Sequence, residues 1–174
     1  MYALARIERE ALLELTRARV VDPQVVEAVA GAVSALLDAD DESDDDESSL
    51  ALAFGCALAV VALPLGYWGH HMPALVLLNQ HVDDRPTRRA IIAHEGAHNV
   101  MQDSGLHHEH GDVWAVALAA LMPREEVLRV RPLCATAIAL RFGVPYWAAA
   151  ARLVMVRVLE GEAAHGCDRV IELV

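Results

Sequence analysis

Residues 72–102 read MPALVLLNQHVDDRPTRRAIIAHEGAHNVMQ, and two hydrophobic periods follow one another within them. Residues 73–79 form a short apolar run bounded by turn signals, the pattern of a buried strand. Residues 81–86 make a polar loop. From Thr87 the apolar positions recur at helical spacing, which predicts a helix to about Asp103, with Gly105 just past its end. Downstream, a second helix is expected from about His107 to Met122, stopped by Pro123. Residues 124–159 read as helical pieces broken at Pro132 and at 143–145. Upstream, residues 50–59 read as helix, 60–63 as extended chain and 67–69 as a turn. No internal repeat is visible. The elements add up to an α+β domain, mostly helical, with a small β-sheet.

The N-terminal part reads as two amphipathic helices. One carries Leu4, Ile7, Ala11 and Leu15 on one face. The other starts at Asp22-Pro23, a cap residue followed by proline in the first turn, and carries the stripe Val25, Val29, Val33 and Leu36. Residues 38–49, DADDESDDDESS, follow. Eight of these twelve residues are acidic, and a run of that kind repels itself, so a solvated linker is expected. The chain thus divides into N-terminal helices (1–37), an acidic linker (38–49), the main domain (50–160) and a C-terminal tail (161–174).

The linker also changes how the net charge reads. The chain carries −11, from 25 acids against 14 basic residues, all of them Arg. With eight acids in the linker, the rest holds 17 against 14, a net of −3. No broad basic surface for nucleic acid or anionic lipid is expected. The segment ATAIALRFGVPYWAAAARLVMV has a helix–turn–helix rhythm, but Arg152 is the sole base-reading side chain within its second helix, so core packing is the expected role. The three cysteines are far apart and form no C-x-x-C pair, and the first fifteen residues carry five charges rather than a signal peptide's apolar stretch. Residues 50–65 are apolar but too short for a span and interrupted by Gly55 and Pro64. A cytoplasmic protein without a membrane segment is expected.

The chemistry is concentrated in His94-Glu95-Gly96-Ala97-His98. On a helix His94 and His98 lie one above the other on the same face. Two imidazoles so placed suit one Zn²⁺, and Glu95, one residue on, stands beside the ion as a general base and then acid. With 9 His and 13 Glu in 174 positions, chance supplies about 0.03 copies of H-E-x-x-H. A third ligand must come from 107–112, HHEHGD. His110, Val113, Trp114, Ala117 and Leu121 share one stripe, which favours His110, ahead of Glu109 and then Asp112; Asp112 could instead cap a helix starting at Val113. His107 or His108 could stabilise an oxyanion. His70, His71, His81 and His165 read as surface or loop residues, and Tyr67 and Trp68 as core or turn aromatics.

The quoted stretch resembles the strand, loop and zinc helix of the ImmA/IrrE-type metallo-endopeptidases, whose pattern is an I-x-L-N strand, an Arg-containing loop and A-H-E-x-x-H. Ala115 to Pro123 is similar to that family's Ala-rich helix ending in L-L-M-P, and ALRFGVPYWAAAARL to its later A-x-x-F-x-V-P/S…R-L segment. The ordered matches cover roughly residues 50–160. The resemblance implies a zincin-like fold, Zn²⁺, and endopeptidase hydrolysis of a protein substrate, often a helix-turn-helix repressor in phage, mobile-element or stress circuits. Two positions depart from the family. Its usual acidic ligand corresponds to His110, and its Asn/Asp four residues later to Trp114. The alternative to a peptidase is a catalytically weak or inactive zincin-fold regulator that binds a repressor or DNA without cleavage.

Overall fold

A computed structural model describes residues 9–11, 13–14, 22–39, 46–104 and 109–160 of the chain. Seven helices and three strands are defined among them: α1 (Pro23–Ala39), α2 (Asp46–Ala53), β1 (Ala57–Val61), β2 (Gly69–Met72), β3 (Leu75–Asn79), α3 (Arg85–Asp103), α4 (His110–Leu121), α5 (Arg124–Arg129), α6 (Ala135–Phe142) and α7 (Tyr146–Leu159). Residues 9–11 and 13–14 are helical as well. The protein is therefore mostly helical, with one small mixed sheet, as the periodicities indicate.

The sheet order is β1-β3-β2. β1 runs parallel to β3, pairing Ala57 with Leu75 and Val61 with Asn79; β2 runs antiparallel, pairing Gly69 with Leu78 and Met72 with Leu75. The apolar run therefore becomes the central strand, with Val76 and Leu78 fully buried. β2 was not expected, since GHHM is short and polar, and pairing with β3 rather than propensity makes it a strand. The helix expected over 50–59 ends earlier, at Ala53. Gly55 (φ 75°) turns the chain, and 57–61 become β1 instead. In the β2–β3 turn Ala74 adopts φ 56°. Its N–H donates to Asn99 Oδ1 (3.2 Å), and its carbonyl accepts from Ala57 N–H (2.9 Å).

Helix α3 packs across β2 and β3, and α4 lies between α3 and α1. Every residue of α4 from Gly111 to Leu121 is buried, so an evenly apolar helix is the central rod of the core. Helix α1 joins that core through Val26, Ala30 and Val33, whereas Val25 and Leu36 face solvent. The observed stripe is thus displaced from the expected one, because Ala30 on that face lets α1 approach the Ala-rich α4.

The expected linker is partly folded. Asp46 to Ser49 open α2, and its acids meet the first turn of α3. Glu47 takes Arg88 in a bidentate pair (2.7 and 2.6 Å), while Asp46 pairs with Arg85 (3.1 Å) and Arg89. Burial pushes the Asp46 carboxyl up, but the hydrogen bonds and charges of Arg89 and Arg85 outweigh it and hold it below the usual range. This contribution is present above the ordinary carboxylate pKa and fades as pH falls through the lowered one. Residues 40–45 and 161–174 lie outside the described residues.

The helix–turn–helix rhythm also resolves into packing. Gly143 (φ 60°) closes α6, and α7 buries Trp147, Ala148, Ala149, Leu153 and Val156. Arg152 is fully buried: Nε donates to the Met122 carbonyl (2.9 Å), and the guanidinium forks onto Glu27 of α1 (2.5 and 2.8 Å). It reads no bases. No single helix among the described residues is long and apolar enough to cross a membrane. Removing one partner of such a pair leaves the other uncompensated, so Arg152→Met is expected to cost about 3 kcal/mol, seen as a lower midpoint in urea unfolding. An unchanged midpoint would show that α1 does not depend on this pair.

Candidate metal centre

The site is built on α3, and the start of that helix is well specified. Asp84 is its N-cap, with Oδ2 accepting from Thr87 N–H (2.9 Å), and Pro86 lies in the first turn. Ten residues on, His94 and His98 project from one face with ring centroids 4.9 Å apart, edge to face. His110, the first residue of α4, comes within 4.8 Å of the His98 centroid and 5.5 Å of that of His94. One donor nitrogen from each of the three rings lies within 4.8 Å of the other two.

Burial within the trio is graded. His94 is buried, His98 half-buried and His110 exposed. Burial, then the charges of His98 and His110, hold His94 well below the ordinary imidazole value, so it is neutral, the form that donates to a metal. Its Nδ1 is buried and finds no hydrogen-bond partner among the described residues. A buried imidazole with an idle nitrogen, facing two more imidazoles, fits a cation bound by nitrogen donors. Zinc takes such donors at about 2.0–2.1 Å, so the trio closes by on the order of an ångström around an ion.

The other two candidates for the third ligand are not part of this cluster. The helix expected from about His107 starts at His110, with Glu109 rather than Asp112 as N-cap. Asp112 therefore caps from inside the first turn, its Oδ2 accepting the Glu109 N–H (3.0 Å), and Glu109 is exposed. His107 and His108 lie outside the described residues, as does His165.

Glu95 lies in a cavity of about 220 Å³ lined also by Glu14, Tyr67, Trp68, His94, His110 and Trp114. Burial raises its carboxyl to about 7; the His71 backbone N–H donates to it and works the other way, while the Glu14 charge adds to the rise. Glu95 rests directly on β2. A Cβ built on Gly69 would stand 2.6 Å from Ile91 Cγ2 and 2.9 Å from Glu95 Cγ.

Five contributors escape the sequence patterns. His71, read as a surface residue, faces inward from β2 and stacks on His98 (5.7 Å, 24°). Its signal is the alternation of a strand only four residues long. Trp114 stacks on His94 (4.0 Å, 23°) and meets Trp147 edge to face. Its place on the His110 stripe was visible, its partner was not. Tyr67 and Trp68 rim the cleft, held by Asn79, whose Nδ2 donates to the Tyr67 carbonyl (2.7 Å) and whose N–H donates to that of Trp68 (2.9 Å). Glu14, from the N-terminal helical piece, carries no local signal at all.

No protein-family model matches the chain, and no curated protein is similar to it at a significant level.

Gly69 is where β2 and α3 come closest to Glu95. Gly69→Ala is expected to destabilise the fold by about 1–3 kcal/mol through overpacking against Ile91, measured by urea unfolding. A variant as stable as the parent would show that the β2–α3 approach is looser than the structure has it.

Proposed function

We propose that the protein is a zinc-dependent endopeptidase of zincin-like fold. The observation that carries this reading is the placement of Glu95 in one cleft with His94 and His110, two members of the trio that His98 completes. His94, His98 and His110 would hold the ion. When bound, zinc supplies Lewis acidity toward a peptide carbonyl and toward water. The remaining work falls to the chain. Glu95 takes a proton from the attacking water at a carboxylate oxygen as the carbon–oxygen bond forms. It then delivers that proton to the amide nitrogen as the carbon–nitrogen bond breaks. Its burial and raised pKa suit a group that must both accept and release a proton. Tyr67 and Trp68 at the rim offer apolar surface to a peptide.

The resemblance to the ImmA/IrrE-type peptidases agrees with this reading and suggests a helix-turn-helix repressor as the substrate. The competing reading, a regulator that binds its partner without cutting it, draws on Trp114, which covers His94 where that family has Asn or Asp. The two readings separate on one residue. Zinc-loaded protein is expected to cut a proteome-derived peptide library, with new N-termini detected by labelling and mass spectrometry, and a chelator to stop it. Glu95→Gln is expected to retain one zinc per chain and lose at least about 100-fold in rate. Full cleavage by Glu95→Gln would sink the general-base assignment, and zinc bound without any cleavage by the parent would favour the regulator. In the same experiment His94→Ala, which removes the most buried donor, is expected to lose the zinc.

A further inference from the structure

We propose that Glu14 is a positioning residue for the metal centre, holding two of its three histidines from behind. The inference rests on the metal-site reading above. Glu14 belongs to the N-terminal helical piece, eighty residues before His94, and lines the cleft. Its two oxygens have separate tasks. Oε2 accepts from Trp114 Nε1–H at 2.9 Å. Oε1 lies 3.6 Å from His110 Nδ1.

The geometry on His110 determines which nitrogen is left for an ion. With Nδ1 toward Glu14, the lone pair of Nε2 is the one available to the trio. Histidine ligands of metals commonly turn their second nitrogen to a carboxylate, which fixes the tautomer and orientation of the ring and raises its basicity. The 3.6 Å gap is longer than a hydrogen bond.

The contact to Trp114 reaches the second histidine. The indole lies flat on the His94 ring at 4.0 Å, so anchoring its N–H fixes the surface against which His94 rests. One carboxylate thus restrains His110 directly and His94 through Trp114. The sequence has His110 where the resembling family has an acid, and Glu14 brings an acid to the same place by another route, behind the ligand rather than on the ion.

The test is zinc affinity, measured by competition with a chromophoric chelator on the full chain. Glu14→Gln is expected to weaken binding by about 10–100-fold, with Glu14→Asp recovering part of the loss. In a double-mutant cycle with His110→Ala, Glu14→Gln should cost less than it does in the parent, because part of its effect passes through His110. Cobalt-loaded Glu14→Gln should keep the visible spectrum of the parent, since all three histidines remain. Parental zinc affinity in Glu14→Gln, additive costs in the cycle, or a cobalt spectrum that reports a lost ligand would each overturn the proposal, the last by making Glu14 a direct ligand. If Glu14→Gln does not fold, Trp114→Phe carries the test. It keeps an aromatic ring beside His94 and removes the N–H that anchors Glu14 together with part of the indole, so several-fold weaker zinc binding supports the proposal and unchanged binding overturns it. A parent protein that binds no zinc overturns the metal reading and this inference with it, whereas zinc binding indifferent to Glu14 overturns this inference alone.

Discussion

Two near-contacts of backbone hold this structure in register, and both lie on the helix that bears the histidines. At Gly96 any Cβ would stand 2.6 Å from Phe54 Cβ, and at Gly69 any Cβ would stand 2.6 Å from Ile91 Cγ2. The first presses α3 onto the end of α2, the second presses β2 onto α3. Neither approach tolerates a side chain, because packed interiors leave no slack for an extra carbon. Asn99, one residue past His98, locks the same region by hydrogen bonds. It donates to the Phe54 carbonyl (3.1 Å) and accepts from Ala74 N–H (3.2 Å), so the α2–β1 turn and the β2–β3 turn both close on α3. The histidines project from a helix fixed on two sides within one turn of the site.

The same close packing explains the unusual character of α4. A helix buried around its whole circumference has no polar face to orient it. Its orientation comes from its ends. At the start, the Asp112 side chain takes the Glu109 N–H and fixes where the helix begins, which sets where His110 stands. At the far end, Arg152 takes the Met122 carbonyl and carries the restraint to Glu27 of α1. The third histidine is therefore placed by helix capping rather than by periodicity alone.

This division accounts for what the sequence made legible. Strand β3, helix α3 and the pair His94–His98 depend on local period, cap and proline signals, and each is readable within about thirty residues. The stripe that selected His110 over Glu109 and Asp112 is equally local. The alternative role of Asp112 as an N-cap falls to Glu109, because Asp112 works from inside the first turn, a role that the residue type alone does not distinguish from an N-cap. The face of α1 was misjudged because Val25 and Leu36 outrank Ala30 in hydrophobicity, while the position against an Ala-rich neighbour favours the smaller residue. Strand β2, the stacking of His71 on His98 and the approach of Glu14 depend on chain segments that meet only after folding. No window along the sequence contains them.

The acidic run shows how a local signal can mislead by being partly right. Its composition reads as self-repelling chain, and that reading takes no account of the Arg-containing loop some forty residues on. Asp46 and Glu47 find Arg85, Arg88 and Arg89 at the first turn of α3, and part of the run becomes helix. The exposed Arg85–Asp46 pair contributes little, but the Arg88–Glu47 pair is largely covered, and all of them act at the N-terminal end of α3, which the glycine contacts do not reach. The cation cluster is also what an isolated first turn would otherwise suffer from, since positive charge opposes the dipole at a helix N-terminus. Supplying carboxylates from α2 offsets that repulsion and leaves α3 anchored at its first turn by charge and near the three histidines by shape. The helix that carries His94 and His98 is thus restrained at its first turn and around the histidines, which lets the three imidazoles converge on a preformed framework.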